Sequence, residues 1–92
     1  MTSVSVIVPA RDAEATLGAC LGALRASEYE DYELLVVDDG SRDRTAGIAG
    51  RFHPDALLRL PEPQGAFAAR NLAARRARGE ILFFTDADVV VG

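Results

Sequence analysis

The fold is decided by residues 33–41, whose sequence is ELLVVDDGS. The apolar run at residues 34–37 favours a strand that is buried on both faces, as in a parallel sheet. The next four residues, Asp, Asp, Gly and Ser, are typical of turns, so the strand should end there. We therefore predict a strand over residues 32–37 and a turn at its carboxyl end.

Similar apolar runs lie on both sides of this segment. Residues 4–8 form a nearly continuous run closed by Pro9, residues 56–60 form a shorter one, and residues 81–85 lead directly into an acidic motif at residues 86–88. Short runs that are rich in Val, Ile, Leu and Phe predict strands. We therefore expect four strands in all, the last of them buried like the others.

A first helix is predicted after the first strand. Asp12 is a candidate N-cap, and Glu14 would lie in the first turn, where a negative charge is favourable. Apolar residues then recur at helical spacing and predict one buried stripe, formed by Leu17, Cys20, Leu21 and Leu24.

Two more helices are predicted further along the chain. Ser41 or Asp43 would cap a helix that ends near Phe52. An Ala-rich helix would begin at residue 65 or 66 and end at residue 78, with Gly79 as the residue that closes it. The element order β-α-β-α-β-α-β then predicts an α/β fold, with a Rossmann-like, mostly parallel sheet of about four strands and helices on both faces.

Composition excludes several classes of protein. A net charge of −4 over 92 residues argues against a nucleic-acid binder. All ten basic residues are Arg, which excludes a Gly-Lys-Ser/Thr phosphate loop. The single cysteine, Cys20, cannot form an internal disulfide, so we expect a reducing, cytoplasmic compartment. No apolar run approaches the ~20 residues of a membrane span, although membrane attachment of a longer protein stays open.

Polar side chains follow the ends of three predicted strands. Pro9 to Asp12, Asp38 to Ser41 and Thr85 to Asp88 should meet at one edge of the sheet, where open α/β sheets bind their ligands. Crowded carboxylates repel one another unless a cation offsets them, and Mg²⁺ or Mn²⁺ prefers such oxygen ligands. An Asp-x-Asp spacing suits one metal contact and one hydroxyl contact, since residues i and i+2 of an extended segment point the same way.

Simpler explanations exist for each motif. Residues 38–41 are also what a turn and helix cap require, and a short acidic pair such as residues 86–88 occurs often by chance. Arg70-Asn71 could be a solvated helix face, His53 an inert loop residue, and Tyr29 and Tyr32 packing residues. A strand followed by Asp-x-Asp also occurs in phosphatases of the haloacid-dehalogenase type, but there it follows the first strand.

In combination, the motifs resemble the N-terminal part of a family 2 glycosyltransferase of the GT-A fold. The resemblance rests on residues 4–9, on residues 33–41 with Asp43 and Thr45, on residues 65–71, and on residues 79–88. It implies transfer of a sugar from a UDP-, GDP- or dTDP-linked donor to an acceptor hydroxyl, with Mn²⁺ or Mg²⁺ as cofactor. The acceptor, whether saccharide, lipid or protein, is not specified.

The resemblance also implies a role for individual residues. Asp39 would contact the base, Asp86 the ribose and Asp88 the metal, while Arg70 would lie near the base and phosphates. Pro9, Ala10 and Arg11 would form the loop over the base. The sequence departs from many relatives at Arg11 and Asp12, where an aromatic residue and Asn are common, so base identity stays open.

The resemblance assigns no catalytic residue to this chain. The general base of the family would lie beyond Gly92, so residues 1–92 are expected to be a single partial domain, ending just after the Asp-x-Asp motif. We expect it to bind the donor weakly and to lack turnover, with self-association through its exposed edge. The alternative is a non-catalytic nucleotide-sugar or protein-binding module of the same fold.

Overall fold

The computed structural model describes residues 3–27 and 31–87. In chain order the elements are β1 (Val4–Ala10), α1 (Leu17–Ala26), β2 (Tyr32–Asp39), α2 (Thr45–Arg51), β3 (Ala56–Leu60), α3 (Ala66–Arg76) and β4 (Ile81–Phe84). Every strand pair is parallel, and the strand order is β3-β2-β1-β4. The predicted fold is therefore confirmed.

Helices cover both faces of the sheet. On one face, α1 and α2 pack against the even-numbered side chains of the two central strands, including Val6, Val8, Leu34 and Val36. On the other face, α3 packs through Ala69 and Ala73 against Ile7, Leu35 and Val37. Small Ala side chains allow α3 to lie close to the sheet. Cys20 is fully buried in the first of these two cores, as its place in the apolar stripe predicts.

Pro9 does not close the first strand, which was the expectation. Pro9 pairs in register with Val37, and β1 continues to Ala10. The carbonyl of Ile7 accepts the Thr85 N–H at 3.1 Å, so the backbone polar groups of Ile7, and of Pro9 two residues later, face β4. Because β4 pairs with β1 only as far as Ile7, the missing N–H of Pro9 breaks no ladder bond.

The predicted cap of the first helix is wrong. Helix α1 starts at Leu17, with Thr16 as the N-cap residue, and Asp12 adopts a left-handed conformation with φ 47°. The Asp12 carboxylate instead accepts the backbone N–H of Arg42 at 2.9 Å. Glu14 also precedes the helix, and its carboxylate accepts the N–H of Arg44 at 3.2 Å. Bonds to a neighbouring loop have taken the place of the local cap.

The other helix ends differ less from expectation. Ser41 is not a cap, but Asp43 accepts the backbone N–H of Thr45 at 2.9 Å, one residue before the N-cap position of α2. Helix α3 ends at Arg76, and Gly79 does not close it, because Ala77 is the C-cap. A Cβ on Gly79 would lie 2.6 Å from the Ser5 nitrogen, so Gly79 is required for close approach to β1.

Strand β4 lies at the sheet edge and is exposed, contrary to the expectation of a buried strand. Its four side chains are between 38% and 50% exposed. Self-association through this edge stays a prediction, and residues 89–91 lie outside the described residues, as does Tyr29. Tyr32 packs on the first core as predicted. In the part of the chain that the structure describes, no helix is long and apolar enough to cross a membrane.

Candidate functional site

The sheet topology creates a crevice beside the carboxyl end of β1. The chain leaves β1 toward β2 and β3 and then returns to the opposite side of β1 to form β4. Helices that leave in opposite directions cannot both cover the strand end, so a gap opens where the direction reverses. The order β3-β2-β1-β4 puts this reversal between β1 and β4.

A cleft of about 280 Å³ lies at this position. Five of the six predicted substrate-binding residues line it, together with Gly65 and Ala66: these five are Pro9, Ala10, Arg11, Asp39 and Asp86. They come from three separate segments of the chain. The predicted metal ligand, Asp88, lies outside the described residues.

Asp39 is the buried acid of the cleft, with 3% of its surface exposed. Its Oδ1 accepts the backbone N–H of Gln64 at 2.7 Å, and its Oδ2 accepts that of Gly65 at 2.9 Å. The carboxylate therefore organises the turn that leads into α3. Each carboxylate oxygen has a second lone pair, so both retain the capacity to accept an N–H from a ligand.

Asp86 is the exposed acid of the cleft, and its side chain is 62% exposed. Its Oδ1 accepts a hydrogen bond from Arg70 Nη2 at 3.2 Å. Arg70 reaches this position from the first half of α3, so it borders the cleft rather than lining it. The Arg70 Nε is buried and makes no hydrogen bond within residues 3–27 and 31–87. The remaining predicted binding residue is thus held beside the other five.

The first acid of the Asp-Asp pair has a different role. Asp38 is 2% exposed, accepts the Ser41 N–H at 3.0 Å and pairs with Arg59 Nε at 3.5 Å. Successive side chains of a strand point to opposite faces, which explains why only the second acid reaches the cleft. The turn interpretation therefore holds for Asp38. Asn71 and His53 are exposed.

The acids of the cleft do not form an all-protein metal cage. Within the described ranges, no three His, Cys, Asp or Glu side chains are grouped so that they could hold a metal ion. Asp86 is nevertheless an accessible hard-oxygen ligand. One or two carboxylates together with substrate phosphates suffice for Mg²⁺ or Mn²⁺, so the residues fit an ion that arrives with its substrate.

Two features at the cleft were not predicted from the sequence: the lining residues that precede and begin α3, and the hydrogen bonds between two neighbouring loops. Gly65 and Ala66 line it, and Gly65 has φ 98° and ψ 156°, a conformation that favours glycine. The Gly immediately before an Ala-rich helix was a usable signal for this turn. The hydrogen bonds between the loop after β1 (residues 11–16) and the loop after β2 (residues 40–45) had no comparable signal, because they link residues about 30 positions apart in the sequence.

Comparison with known proteins decides the family. The model of glycosyl transferase family 2 matches residues 5–92. The chain belongs to this family. Its fold is that of the N-terminal part of GT-A glycosyltransferases, as the motifs predicted.

Individual family members are similar over nearly the whole chain. Glycosyltransferase AglE of Haloferax volcanii is 40% identical over 91 residues, a match that covers 92% of this chain and 30% of that protein. Among solved structures, a mannosyltransferase from Pyrobaculum calidifontis in complex with GDP-Man and Mn²⁺ is 35% identical with a TM-score of 0.87, covering 95% of this chain and 28% of that one.

A second solved structure, S. aureus TarS 1-349 in complex with UDP-GlcNAc, is 30% identical with a TM-score of 0.88. The match covers 94% of this chain and 26% of the TarS chain. The family 2 chain described here thus spans less than a third of the length of each of these relatives.

Proposed function

We propose that this family 2 chain binds the nucleoside-diphosphate part of an activated sugar, for transfer of the sugar to an acceptor hydroxyl. The observation that carries the proposal is the convergence of residues from three chain segments in one cleft, at the reversal point of the sheet. The GDP-Man and UDP-GlcNAc complexes of similar proteins support it.

In this proposal, Asp39 selects the base. Its two oxygens already accept one backbone N–H each and have lone pairs left for another donor. A carboxylate only accepts hydrogen bonds, so it favours uracil, thymine or guanine, which carry an imino N–H, over adenine and cytosine. Pro9 and Ala10 supply an apolar wall for the base, and Arg11 adds a planar guanidinium that stacks well on a ring.

Asp86 and Arg70 serve the ribose and phosphates in the same proposal. The exposed Asp86 carboxylate accepts a ribose hydroxyl, and the ion pair with Arg70 keeps the guanidinium beside it. The Arg70 side chain is 42% exposed, so the exposed part of its guanidinium can also donate to a phosphate oxygen. Mn²⁺ or Mg²⁺, held by Asp88 and the diphosphate, would offset negative charge on the leaving nucleoside diphosphate.

We further propose that residues 1–92 form only the donor-binding region of a transferase. In this proposal the two carboxylates of the cleft, Asp39 and Asp86, serve the base and the ribose, which leaves neither as the general base for an acceptor hydroxyl. The base would then be supplied by polypeptide beyond residue 92. The chain by itself should bind nucleotide without turnover.

Titration with nucleoside diphosphates tests the proposal. UDP, GDP, dTDP, CDP and ADP are added with Mn²⁺ or with EDTA, and binding is followed by calorimetry and by amide NMR shifts. We expect binding of at least one of the first three, weaker binding of CDP and ADP, and a loss of affinity in EDTA.

Three substitutions assign the roles. Asp39→Asn should reduce the preference for the favoured base and weaken its binding about 10- to 100-fold, the equivalent of a hydrogen bond to a charged group. Asp86→Asn should weaken all five nucleotides alike, and Asp88→Ala should abolish the effect of Mn²⁺. Asp31→Asn is the matched control, since Asp31 is exposed and precedes β2 at the far end of the sheet. No binding of any nucleotide at millimolar concentration would favour a non-catalytic module.

A further inference from the structure

Two loops beside the cleft are joined by a set of hydrogen bonds that we call the loop clamp. One is the β1–α1 loop, residues 11–16, and the other is the segment of residues 40–45 that enters α2. The bonds run from Asp12 N to Ser41 Oγ (2.9 Å), Ala13 N to Thr45 Oγ1 (2.8 Å), Glu14 N to Asp43 Oδ2 (3.2 Å), Arg42 N to Asp12 Oδ1 (2.9 Å) and Arg44 N to Glu14 Oε2 (3.2 Å).

The clamp is reciprocal, because each loop supplies both backbone donors and side-chain acceptors. Its anchor is Thr45, which is fully buried and whose hydroxyl also donates to Asp43 Oδ1. This hydroxyl hydrogen bond is the main cause that lowers the pKa of Asp43 below its ordinary value, so the acid is ionised near neutral pH. A loop that is bonded in both directions to a buried anchor has little freedom to shift.

The clamp also sustains an unusual backbone conformation next to the cleft. Asp12 has φ 47°, which L residues other than Asn and Asp seldom adopt. Such a conformation persists when the surroundings fix it, and both the N–H and the carboxylate of Asp12 are bonded within the clamp. Arg11 directly precedes this turn, so the clamp fixes the end of the short segment on which Arg11 lies.

Arg11 needs this restraint because it lies between two clefts. It lines the cleft with Asp39 and Asp86, and it also lines a neighbouring one of about 320 Å³ with Thr16 and Ala87. No hydrogen bond or ion pair links the Arg11 guanidinium to another side chain within residues 3–27 and 31–87. Its position at the cleft therefore depends on the backbone.

We propose that the loop clamp positions Arg11 at the cleft and thereby sets the affinity for the nucleoside diphosphate, with Asp12, Ser41, Asp43 and Thr45 as positioning residues. The inference rests on the proposed function. Ser41, Asp43 and Thr45 do not line the cleft, so their effect on binding must pass through the β1–α1 loop.

Substitutions at Thr45 and Ser41 test the clamp with UDP, GDP and dTDP, each with Mn²⁺. Thr45→Val keeps the side-chain shape and removes a hydroxyl that makes two hydrogen bonds of the clamp, and we expect the Kd of the bound nucleotide to rise about tenfold. Thr45→Ser should restore binding to within about threefold of the original protein. Ser41→Ala, at a half-exposed position, is a second clamp variant that does not depend on core packing.

The matched control is Thr16→Val. The Thr16 hydroxyl belongs to the same loop but is exposed, and within the described residues it donates to the carbonyl of Ala13 at 3.5 Å and not to the second loop. This variant should bind like the original protein. Hydrogen exchange of the Asp12, Ala13 and Glu14 amides should accelerate in Thr45→Val and not in Thr16→Val.

A double-mutant cycle with Arg11→Ala separates positioning from general stability. If the clamp acts through Arg11, Thr45→Val and Ser41→Ala should cause no further loss of affinity in the Arg11→Ala background. Two results would overturn the inference and leave the proposed function intact. One is an additive loss of affinity in the double variants, and the other is an unchanged Kd in clamp variants whose loop amides exchange faster. Absence of nucleotide binding by the original protein would refute the proposed function, and the positioning role with it.

Discussion

Gly40 occupies a position where two separate constraints exclude any side chain. Its φ is 65°, and a Cβ added to it would lie 2.4 Å from the carbonyl carbon of Glu62 and from the nitrogen of Pro63. Both atoms belong to the backbone and cannot rotate away. Gly40→Ala therefore imposes both a strained conformation and a collision with the β3–α3 loop.

The two costs have known scales. A left-handed conformation costs a residue with a Cβ ~1–2 kcal/mol, and forcing extra atoms into a packed region costs ~1–3 kcal/mol. The sum, ~2–5 kcal/mol, is large beside the ~5–15 kcal/mol by which a typical domain is stable. The displaced loop also carries the N–H groups of Gln64 and Gly65 that bond Asp39, so the cleft should be disturbed as well.

Three other glycines isolate the two effects. Gly65→Ala adds strain at φ 98° with no atom within 4 Å of the new Cβ, and should cost ~1–3 kcal/mol. Gly79→Ala adds the collision with the Ser5 backbone without a positive φ, and should cost ~1–3 kcal/mol. Gly47→Ala in α2 adds neither, and should stabilise the protein by ~0.5–1 kcal/mol because Ala is the better helix former.

Urea unfolding followed by circular dichroism at 222 nm measures all four variants. The expected order of stability is Gly47→Ala above the original protein, then Gly65→Ala and Gly79→Ala, and Gly40→Ala lowest. If Gly40→Ala is no less stable than Gly65→Ala, the close approach of the β3–α3 loop to Gly40 contributes nothing, and this reasoning is refuted.

Two further predictions concern buried and titrating polar groups. Ser5→Ala should lower the free energy of unfolding in urea by ~1–3 kcal/mol, because the fully buried Ser5 hydroxyl donates to Glu33 Oε2 at 2.6 Å and accepts the Gly79 N–H at 2.8 Å. Ser3→Ala removes an exposed acceptor of a backbone N–H and should lower it less. Equal losses of stability in the two variants would contradict this prediction. Asp43 has a lowered pKa in the folded protein, chiefly through its hydrogen bond from the Thr45 hydroxyl, so its contribution to stability is complete above the unfolded-state pKa and is lost as the pH falls through the folded-state pKa. The difference in free energy of unfolding between the original protein and Asp43→Asn should therefore be constant around neutral pH and vanish in acid. A difference that persists in acid would exclude this linkage.

The strand pattern could be predicted from the sequence because apolar periodicity reflects burial directly. The third strand has the predicted bounds, and the other three agree within two residues at their ends. The exposure of β4 could not be predicted, since a run such as Ile-Leu-Phe-Phe is equally typical of a central strand. Only the strand order reveals that this run has one neighbour instead of two.

The helix starts were less predictable because their polar residues have long-range partners. Asp12 and Glu14 have the right types and spacing for a capped first turn, but they bond the backbone of Arg42 and Arg44 instead. Rules for helix caps consider only whether a nearby side chain or water bonds the first N–H groups of the helix. They do not include a second loop that offers unsatisfied N–H groups at the same place.

The strand order also bears on the separate roles that the proposed function gives to the two acids of the cleft. Asp39 ends β2 and Asp86 follows β4, and these strands flank β1 on opposite sides. Neighbouring strands lie ~4.8 Å apart, so the two acids start from backbones separated by roughly twice that spacing. A ligand that engages both acids must therefore reach across the end of β1. In the proposed function, a nucleoside diphosphate with its base at Asp39 and its ribose or phosphates at Asp86 would meet this requirement.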